Sequence, residues 1–251
     1  MDQPSTPQIP NGESRQQFSI PMAILLAGFV IAVAVMFSSR GLPPSPAQSA
    51  SPVPTDTPAA LDARRVNTQD EPVIGKADAP LVMAYWSDYQ CPFCKQFEIT
   101  VLPTLLKNYV DTGKMKIIFK DFAFLGPDST TAGLLSESIW HLYPKDFLAW
   151  NQAMFETQGA ENSGWASQDN LMKIVKTKFP DMDTAKLTQD IAQNKTAYLQ
   201  HLSDDETEAQ KYSITGTPGF IVGSQQITGA EPLSYFAQVI DEEYQKAVQG
   251  K

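Results

Sequence analysis

The tetrapeptide Cys91–Cys94, with proline and phenylalanine between its cysteines, constrains the fold of this chain more than any other feature. These are the only cysteines among the 251 residues. The apolar run Leu81–Trp86 precedes them and predicts a short strand that is buried on both faces of a sheet. After them, apolar residues recur every four positions from Phe97 to Tyr109, which predicts an amphipathic helix that Pro103 should kink. The pair is therefore predicted to lie between a strand and the start of a helix.

The start of a helix is a position that makes a cysteine reactive. Free backbone N–H groups and the positive end of the helix dipole stabilise a thiolate there and lower the thiol pKa. Only the thiolate attacks a disulfide. Cys91 would occupy this position, followed by Pro92, whose missing N–H costs nothing in a first turn. Cys94 falls one turn later, within reach of Cys91, so Cys91 is predicted to be the nucleophile and Cys94 the resolving cysteine.

Two other interpretations of the cysteine pair remain open. A structural disulfide across two residues would close a very short loop and would constrain the unfolded chain little. A structural zinc site needs four ligands, and the only further soft candidates are His141 and His201, both in predicted helices far along the chain. We therefore predict no metal and no cofactor other than the redox-active disulfide between Cys91 and Cys94.

The first 69 residues differ in composition from the rest of the chain and contain ten of its 19 prolines. Residues 1–19 are polar and predict a disordered tail. Residues 20–37 carry no charge, and a helix of this length spans about 27 Å, close to the thickness of the bilayer interior. They predict a transmembrane anchor, with a cleaved signal peptide as the alternative. Residues 38–69 are rich in proline, serine and alanine and predict a semi-stiff linker.

Residues 70–251 are predicted to form one α/β domain with a helical insert. Residues 116–124 predict a second strand after the first helix. Residues 129–211 predict the insert. Its expected helices are Ser129–His141, Asp146–Thr157, Gln168–Phe179, Thr184–Gln193 and Tyr198–Lys211. Residues 219–228 predict a hairpin, and a terminal helix is expected from Pro232, so the order is β-α-β, helical insert, β-β-α.

The charge of the chain argues against one class of partner. The formal net charge is −9 at pH 7, and no basic stripe runs along the sequence. An acidic domain repels the phosphate backbone of nucleic acids. We therefore predict that the chain does not bind nucleic acid.

Three segments of the chain resemble one protein family. Ser87–Cys94 resembles the active-site segment of DsbA-like thiol-disulfide oxidoreductases of the thioredoxin superfamily. Gly216–Pro218 resembles the cis-proline loop of that superfamily, and Pro72–Pro80 resembles its lead-in segment. The resemblance covers roughly residues 70–247 and leaves the tail, the apolar span and the linker outside it.

This resemblance implies a fold and a substrate site. The fold would be a thioredoxin fold with a helical domain inserted between its two halves, which agrees with the element order above. The peptide bond before Pro218 would be cis, and the proline would face the cysteines. Thr217 would offer its backbone to an extended substrate strand, while Pro92 and Phe93 would complete an apolar surface for docking peptides.

Two positions depart from the family pattern. The family often has an acidic residue six positions before the first cysteine, where it can relay protons to the resolving cysteine, and this chain has Tyr85 there. Lys120 or Asp121 on the second strand could take over the relay, with a surface ion pair as the alternative. The most oxidising members have histidine where this chain has Phe93, so we expect a potential below the roughly −120 mV of the strongest oxidant.

The sequence as a whole predicts a membrane-anchored thiol-disulfide oxidoreductase with its catalytic domain outside the cytoplasm and its N-terminus inside. Its expected substrates are thiols of unfolded or folding secreted proteins, and a membrane redox partner would regenerate the disulfide. We expect a monomer that acts as an oxidant. A reductase or isomerase with the same site, or a chaperone without redox activity, are the alternatives.

Overall fold

The computed structural model describes residues 61–250. The predicted tail, the predicted span at residues 20–37 and the linker up to residue 60 lie outside these described residues. Within residues 61–250, no helix combines the length and the apolar character that crossing a bilayer requires.

Five strands form one mixed sheet in the order β1-β3-β2-β4-β5. Their bounds are β1 Val73–Ile74, β2 Leu81–Ser87, β3 Met115–Asp121, β4 Gly219–Val222 and β5 Gln225–Thr228. Strands β2 and β3 are parallel, whereas the other neighbouring pairs are antiparallel. This arrangement confirms the two predicted strands of the first half and the predicted hairpin of the second.

Seven α-helices accompany the sheet in the described part of the chain. They are α1 Pro92–Thr100, α2 Leu102–Leu105, α3 Pro127–Leu142, α4 Phe147–Thr157, α5 Gln168–Lys178, α6 Thr184–Lys211 and α7 Leu233–Gln249. A π-helical turn at Leu106–Val110 continues α2, and 3₁₀ turns lie at Ala63–Arg65 and Pro144–Asp146. Helices α3 to α6 form the insert between β3 and β4, as the sequence predicts.

Strand β2 is central and buried on both faces, which explains its uninterrupted apolar sequence. Every residue from Leu81 to Ser87 is buried. Alternate side chains point to opposite faces of a strand. On one face Tyr85 packs among Phe97 and Phe220, with ring centroids 4.9 Å away in both cases. On the other face Trp86 is fully buried, and its indole N–H donates to the carbonyl oxygen of Asp205, 3.1 Å away.

The helix after the cysteines is interrupted where the sequence predicts a kink. Helix α1 ends at Thr100 and α2 begins at Leu102, with Pro103 in its first turn. A proline lacks the N–H that would bond to the carbonyl four residues earlier, and its ring crowds that carbonyl. The interruption keeps the apolar residues of both segments against the sheet, where Phe97, Val101 and Leu105 are buried.

One predicted break in the helical insert is wrong. The sequence suggested separate helices at 184–193 and 198–211, but α6 runs without interruption from Thr184 to Lys211. The intervening residues 194–197 are mostly polar and include no proline or glycine, so they lack an apolar period but do not break the helix. At its start, the Asp183 carboxylate accepts hydrogen bonds from the N–H groups of Ala185 and Lys186.

Residues 61–69, which the sequence assigned to the linker, pack against the folded domain. Ala63 is fully buried, and its N–H donates to the carbonyl of Gly223, 2.8 Å away. The N–H of Asn67 donates to the carboxylate of Glu208 at 2.9 Å. The packed part of the chain therefore begins several residues before Asp70.

Candidate active site

Cys91 lies at the junction between β2 and α1, where its thiol meets the start of a helix. It occupies the N-cap position of α1, and Pro92 is the first helical residue. The carbonyl of Cys91 accepts the N–H of Lys95 at 3.1 Å, which is the first bond of the helix. The N–H groups of the first turn are left without helical partners and point toward the thiol. The predicted position of Cys91 at a helix start is thus observed.

A buried carboxylate that the sequence analysis did not identify fixes the turn before Cys91. Asp88 accepts hydrogen bonds from the N–H of Gln90 at 2.7 Å and from the Ser129 hydroxyl at 2.6 Å. Its second oxygen accepts the N–H of Leu125 at 3.0 Å. Burial raises the pKa of Asp88 even though these hydrogen bonds favour the charged form. The hydrogen bonds of Asp88 therefore link the turn before Cys91 to Ser129 at the start of the helical insert.

The two cysteines have opposite electrostatic environments. A hydrogen bond from Cys94 lowers the pKa of Cys91 to about 6, against burial, with further help from Thr217 and from the Cys94 and Phe93 N–H groups. Burial raises the pKa of Cys94 well above the usual range of a thiol, and the adjacent Cys91 raises it further. Both residues are separate thiols in the structure. Cys91 is therefore the thiolate at neutral pH and Cys94 the thiol.

The loop before β4 closes the site from the other side. The Thr217–Pro218 peptide bond is cis. Sγ of Cys91 lies 3.3 Å from the carbonyl oxygen of Thr217, to which the thiol donates a hydrogen bond when it carries its proton. A side-chain hydrogen bond from Thr217 lowers the pKa of both cysteines. Phe93, between the cysteines, is 60% exposed.

Lys120 and Asp121, the two candidates for a proton relay, lie at the end of β3 in a buried cluster of charges. Lys120 forms ion pairs with Glu71 and with Asp205, whose oxygen is 2.5 Å from Nζ. Because its side chain is only 1% exposed, the alternative of a surface ion pair is wrong. Asp121 is half-buried, and burial is the main cause that raises its pKa. The relay through either residue stays a prediction.

One group of side chains in the described residues offers ligand atoms for a metal. Glu71, His201 and Asp205 bring these atoms within 4.8 Å of one another. The Lys120 ammonium contacts both carboxylates, and a hydrogen bond with Glu137 is the main cause that raises the pKa of His201 to about 11. A protonated imidazole has no lone pair for a metal. The group is therefore a buried ion-pair cluster, and its residues do not fit a metal.

Comparison with known proteins identifies the family to which this chain belongs. A family model described as thioredoxin matches residues 67–242. The chain belongs to the thioredoxin family. Among curated members, it is 31% identical over 149 residues to a probable disulfide bond formation protein D of Bacillus cereus, covering 59% of this chain and 68% of the relative. It is 30% identical over 175 residues to disulfide bond formation protein D of Bacillus subtilis, covering 69% and 77%.

A solved structure agrees with this thioredoxin-family assignment. The crystal structure of oxidised BdbD from Bacillus subtilis has a TM-score of 0.66 and 26% identity, covering 74% of this chain and 97% of that one. The resemblance to DsbA-like oxidoreductases and the thioredoxin fold with a helical insert are thereby confirmed.

Proposed function

We propose that this chain is a protein thiol-disulfide oxidoreductase that works as an oxidant. The observation that carries the proposal is the asymmetry of the dithiol, with the pKa of Cys91 lowered to about 6 and that of Cys94 raised. A stabilised thiolate favours the reduced form of the pair, and so the disulfide is readily passed to a substrate. The thioredoxin-family relatives named disulfide bond formation proteins support the same direction.

The difference between the two cysteines supports the following order of events. A substrate thiolate attacks Sγ of Cys91 in the Cys91–Cys94 disulfide, forms a substrate–Cys91 disulfide and releases Cys94 as a thiolate that takes up a proton. A second substrate thiolate then attacks the substrate sulfur of this mixed disulfide. Cys91 leaves as the stabilised thiolate, and the substrate carries the new disulfide. Two electrons pass from the substrate dithiol to the cysteine pair.

The surface around Cys91 fits an extended, partly apolar substrate. Phe93, between the two cysteines, is 60% exposed, although large apolar side chains are usually covered. The carbonyl oxygen of Thr217 lies 3.3 Å from Sγ of Cys91, so the backbone of Thr217 lies next to the reacting sulfur. Unfolded secreted proteins expose apolar segments and free thiols, and are the substrates that we propose. A membrane redox partner would reoxidise the pair.

A transfer experiment tests this function. Oxidised full-length protein, mixed with a reduced unfolded dithiol protein, should lose one Cys91–Cys94 disulfide for each substrate disulfide formed, and the substrate should gain folded activity. Binding of the substrate without thiol exchange would instead favour the chaperone alternative. Faster turnover with a scrambled or oxidised substrate and a thiol reductant than with a reduced substrate would favour an isomerase or reductase.

The membrane location is a separate part of the proposal. Residues 20–37 are uncharged and long enough to span a bilayer, and the absence of cysteines outside the active pair suits a protein that handles disulfides in an oxidising space. The full chain should stay in the membrane pellet after an alkaline wash, and deletion of residues 20–37 should release it. A mature N-terminus that begins after residue 37 would identify a cleaved signal peptide and contradict the anchor.

A further inference from the structure

Gln158, directly after α4, connects the helical insert to the turn that carries Cys91. It is the C-cap residue of α4 and is half-buried. Its side-chain amide nitrogen donates to the carbonyl oxygen of Tyr89 at 2.7 Å and to that of Cys91 at 3.0 Å. These two carbonyls come 69 and 67 residues earlier in the chain. Gln158 therefore bridges the backbone on both sides of Gln90, at the nucleophile itself.

The orientation of the Gln158 amide follows from its two partners. A backbone carbonyl can only accept a hydrogen bond, so the side-chain NH₂ group, and not the side-chain oxygen, must face Tyr89 and Cys91. The carbonyl of Cys91 also accepts the N–H of Lys95 at 3.1 Å, which leaves one lone pair for Gln158. The two N–H groups of the amide thus serve the two carbonyls.

The backbone of Gln158 is itself held from two sides. Its N–H donates to the carbonyl of Phe155 in the last turn of α4, 3.3 Å away. Its carbonyl oxygen lies 3.5 Å from the ammonium of Lys95 on α1, which donates to it. A side chain that starts from a fixed backbone loses less conformational entropy when it binds. Gln158 is therefore well placed to keep the Tyr89 and Cys91 carbonyls in one position.

A neighbouring contact connects the same segment of the insert to the side chain of Gln90. The N–H of Asn162 donates to the side-chain oxygen of Gln90 at 2.6 Å, and the side-chain amide of Gln90 donates to the Ser129 hydroxyl at 2.9 Å. Gln90 is 1% exposed. These contacts fix a side chain of the turn, whereas Gln158 binds the backbone on either side of it.

The cap of α1 explains why this backbone contact matters for reactivity. Cys91 has the extended conformation of an N-cap residue, with φ −71° and ψ 119°. In this conformation a cap side chain can accept hydrogen bonds from the N–H groups of the first turn. Those of Phe93 and Cys94 lower the pKa of the Cys91 thiol in this way. The stabilisation of the thiolate therefore depends on the backbone angles of Cys91, and its carbonyl, which Gln158 binds, turns with ψ.

The Tyr89 and Cys91 carbonyls are also unfavourable electrostatic neighbours for a thiolate. Their oxygens carry partial negative charge, and one belongs to the same residue as the sulfur. The N–H groups of Gln158 place the positive end of the amide dipole at both oxygens and offset that charge. The titratable groups adjacent to Cys91 are Asp88 in the turn and Cys94 and Lys95 on α1, and Gln158 adds no charge to them.

We propose that Gln158 is a positioning residue through which the helical insert keeps Cys91 in its reactive conformation. It acts on the backbone of the turn, by binding the carbonyls of Tyr89 and Cys91, and takes no part in the exchange of sulfur bonds. The insert in this way sets how readily Cys91 leaves as a thiolate, a role that rests on the proposed function.

Replacing Gln158 with methionine tests this role, because methionine has a similar length and no group that donates to a carbonyl. The rate at which iodoacetamide alkylates the reduced full-length protein is measured against pH. Below about pH 8 it reports Cys91 alone, since burial raises the pKa of Cys94 far higher. In Gln158→Met the midpoint should rise by about one unit from the native value of about 6. Alkylation should then slow about tenfold at about pH 5 and stay within about twofold at about pH 8.

Two further variants separate the hydrogen bonds from other effects of the substitution. Gln152→Met makes the same change on α4, at an exposed glutamine whose side chain donates only to Glu156, and should leave the midpoint unchanged. Gln158→Lys removes the amide but supplies an ammonium with three N–H donors. It should bring the midpoint back to the native value or below it.

A less stabilised Cys91 thiolate should also make the disulfide of Gln158→Met a weaker oxidant. At pH 7, a rise of one unit leaves about half of Cys91 ionised, compared with about nine-tenths in the native protein. The reduced form loses that stabilisation, so the equilibrium constant for its oxidation by glutathione disulfide should rise about fivefold. Incubation in glutathione buffers of known composition measures this constant.

Three results would overturn the role of Gln158. They are an unchanged midpoint in Gln158→Met, an equal slowing at about pH 5 and about pH 8, which indicates altered access to the thiol, and a midpoint in Gln158→Lys as high as that in Gln158→Met. Alkylation requires no protein substrate. A shifted midpoint in a protein that transfers no disulfide would therefore contradict the proposed function and leave the effect of Gln158 on Cys91 in place.

Discussion

Replacing Cys91 with serine should lower the rate at which the protein oxidises a reduced, unfolded substrate by about 10³-fold or more, to the uncatalysed background. The variant can form no disulfide with Cys94 and has no low-pKa thiol for the substrate to attack. Cys94→Ser should behave differently, because Cys91 remains a thiolate and can be held in a mixed disulfide. With a substrate carrying one activated thiol, Cys94→Ser should accumulate the covalent complex on a non-reducing gel.

The thiolate of Cys91 gives this prediction a pH dependence. The rate of alkylation of reduced Cys94→Ser by iodoacetamide should follow the fraction of Cys91 thiolate. Because the serine hydroxyl can donate the hydrogen bond that the Cys94 thiol donates in the native pair, its midpoint should stay near the native value of about 6. Substrate oxidation by Cys91→Ser at the native rate would remove Cys91 as the nucleophile. Heat unfolding of both variants serves as the control for folding.

Replacing Lys120 with alanine should lower the free energy of unfolding by about 3–5 kcal/mol at pH 7, since it leaves buried carboxylates without their positive partner. Lys120 contacts Glu71 and Asp205, whose side chains are each 2% exposed, and Glu208 lies 3.1 Å from its ammonium. Urea unfolding followed by tryptophan fluorescence measures the change. Lys116→Ala, four residues earlier on β3, is the control, because Lys116 only donates to the exposed carbonyl of Ala77.

The loss in Lys120→Ala should shrink as the pH falls. Burial is the main cause that raises the pKa of Asp205 to about 7, and removal of the lysine raises it further. A carboxyl group whose pKa is higher in the folded than in the unfolded chain stabilises the folded protein increasingly as the pH falls between the two pKa values. For Asp205 these values are about 7 and about 4, so the variant should recover part of its lost stability over this pH range. An equal loss at pH 7 and pH 5, or a loss no larger than that of Lys116→Ala, would contradict the ion-pair account.

The parts of the fold that the sequence predicts are those with a strong local pattern. Strand β2 is recognisable because both of its faces are buried, and the start of α1 because Cys91 and Pro92 occupy a cap and a first turn. Strand β1 was missed because Val73 and Ile74 are too few to show a period. The predicted break in α6 came from a mostly polar stretch that lacks apolar spacing but contains no proline or glycine to end the helix.

In the candidate site, too, the features that a local sequence motif determines could be predicted, and those that depend on distant parts of the chain could not. The cysteines and the following proline form a local motif, so their arrangement could be predicted. The partners of Lys120 could not, because Glu71 and Asp205 come from opposite ends of the domain sequence and meet only in the fold.

The backbone bonds of Ala63 fix the end of the sheet at which the chain enters the domain. Its N–H donates to Gly223, whose own N–H donates to Val82 near the beginning of β2. Cys91 follows the other end of that strand, at Ser87, about 17 Å further along. Ala63 and the dithiol therefore lie near opposite ends of β2. A tether joined at residue 61 would therefore be attached near the end of β2 that is away from the thiols.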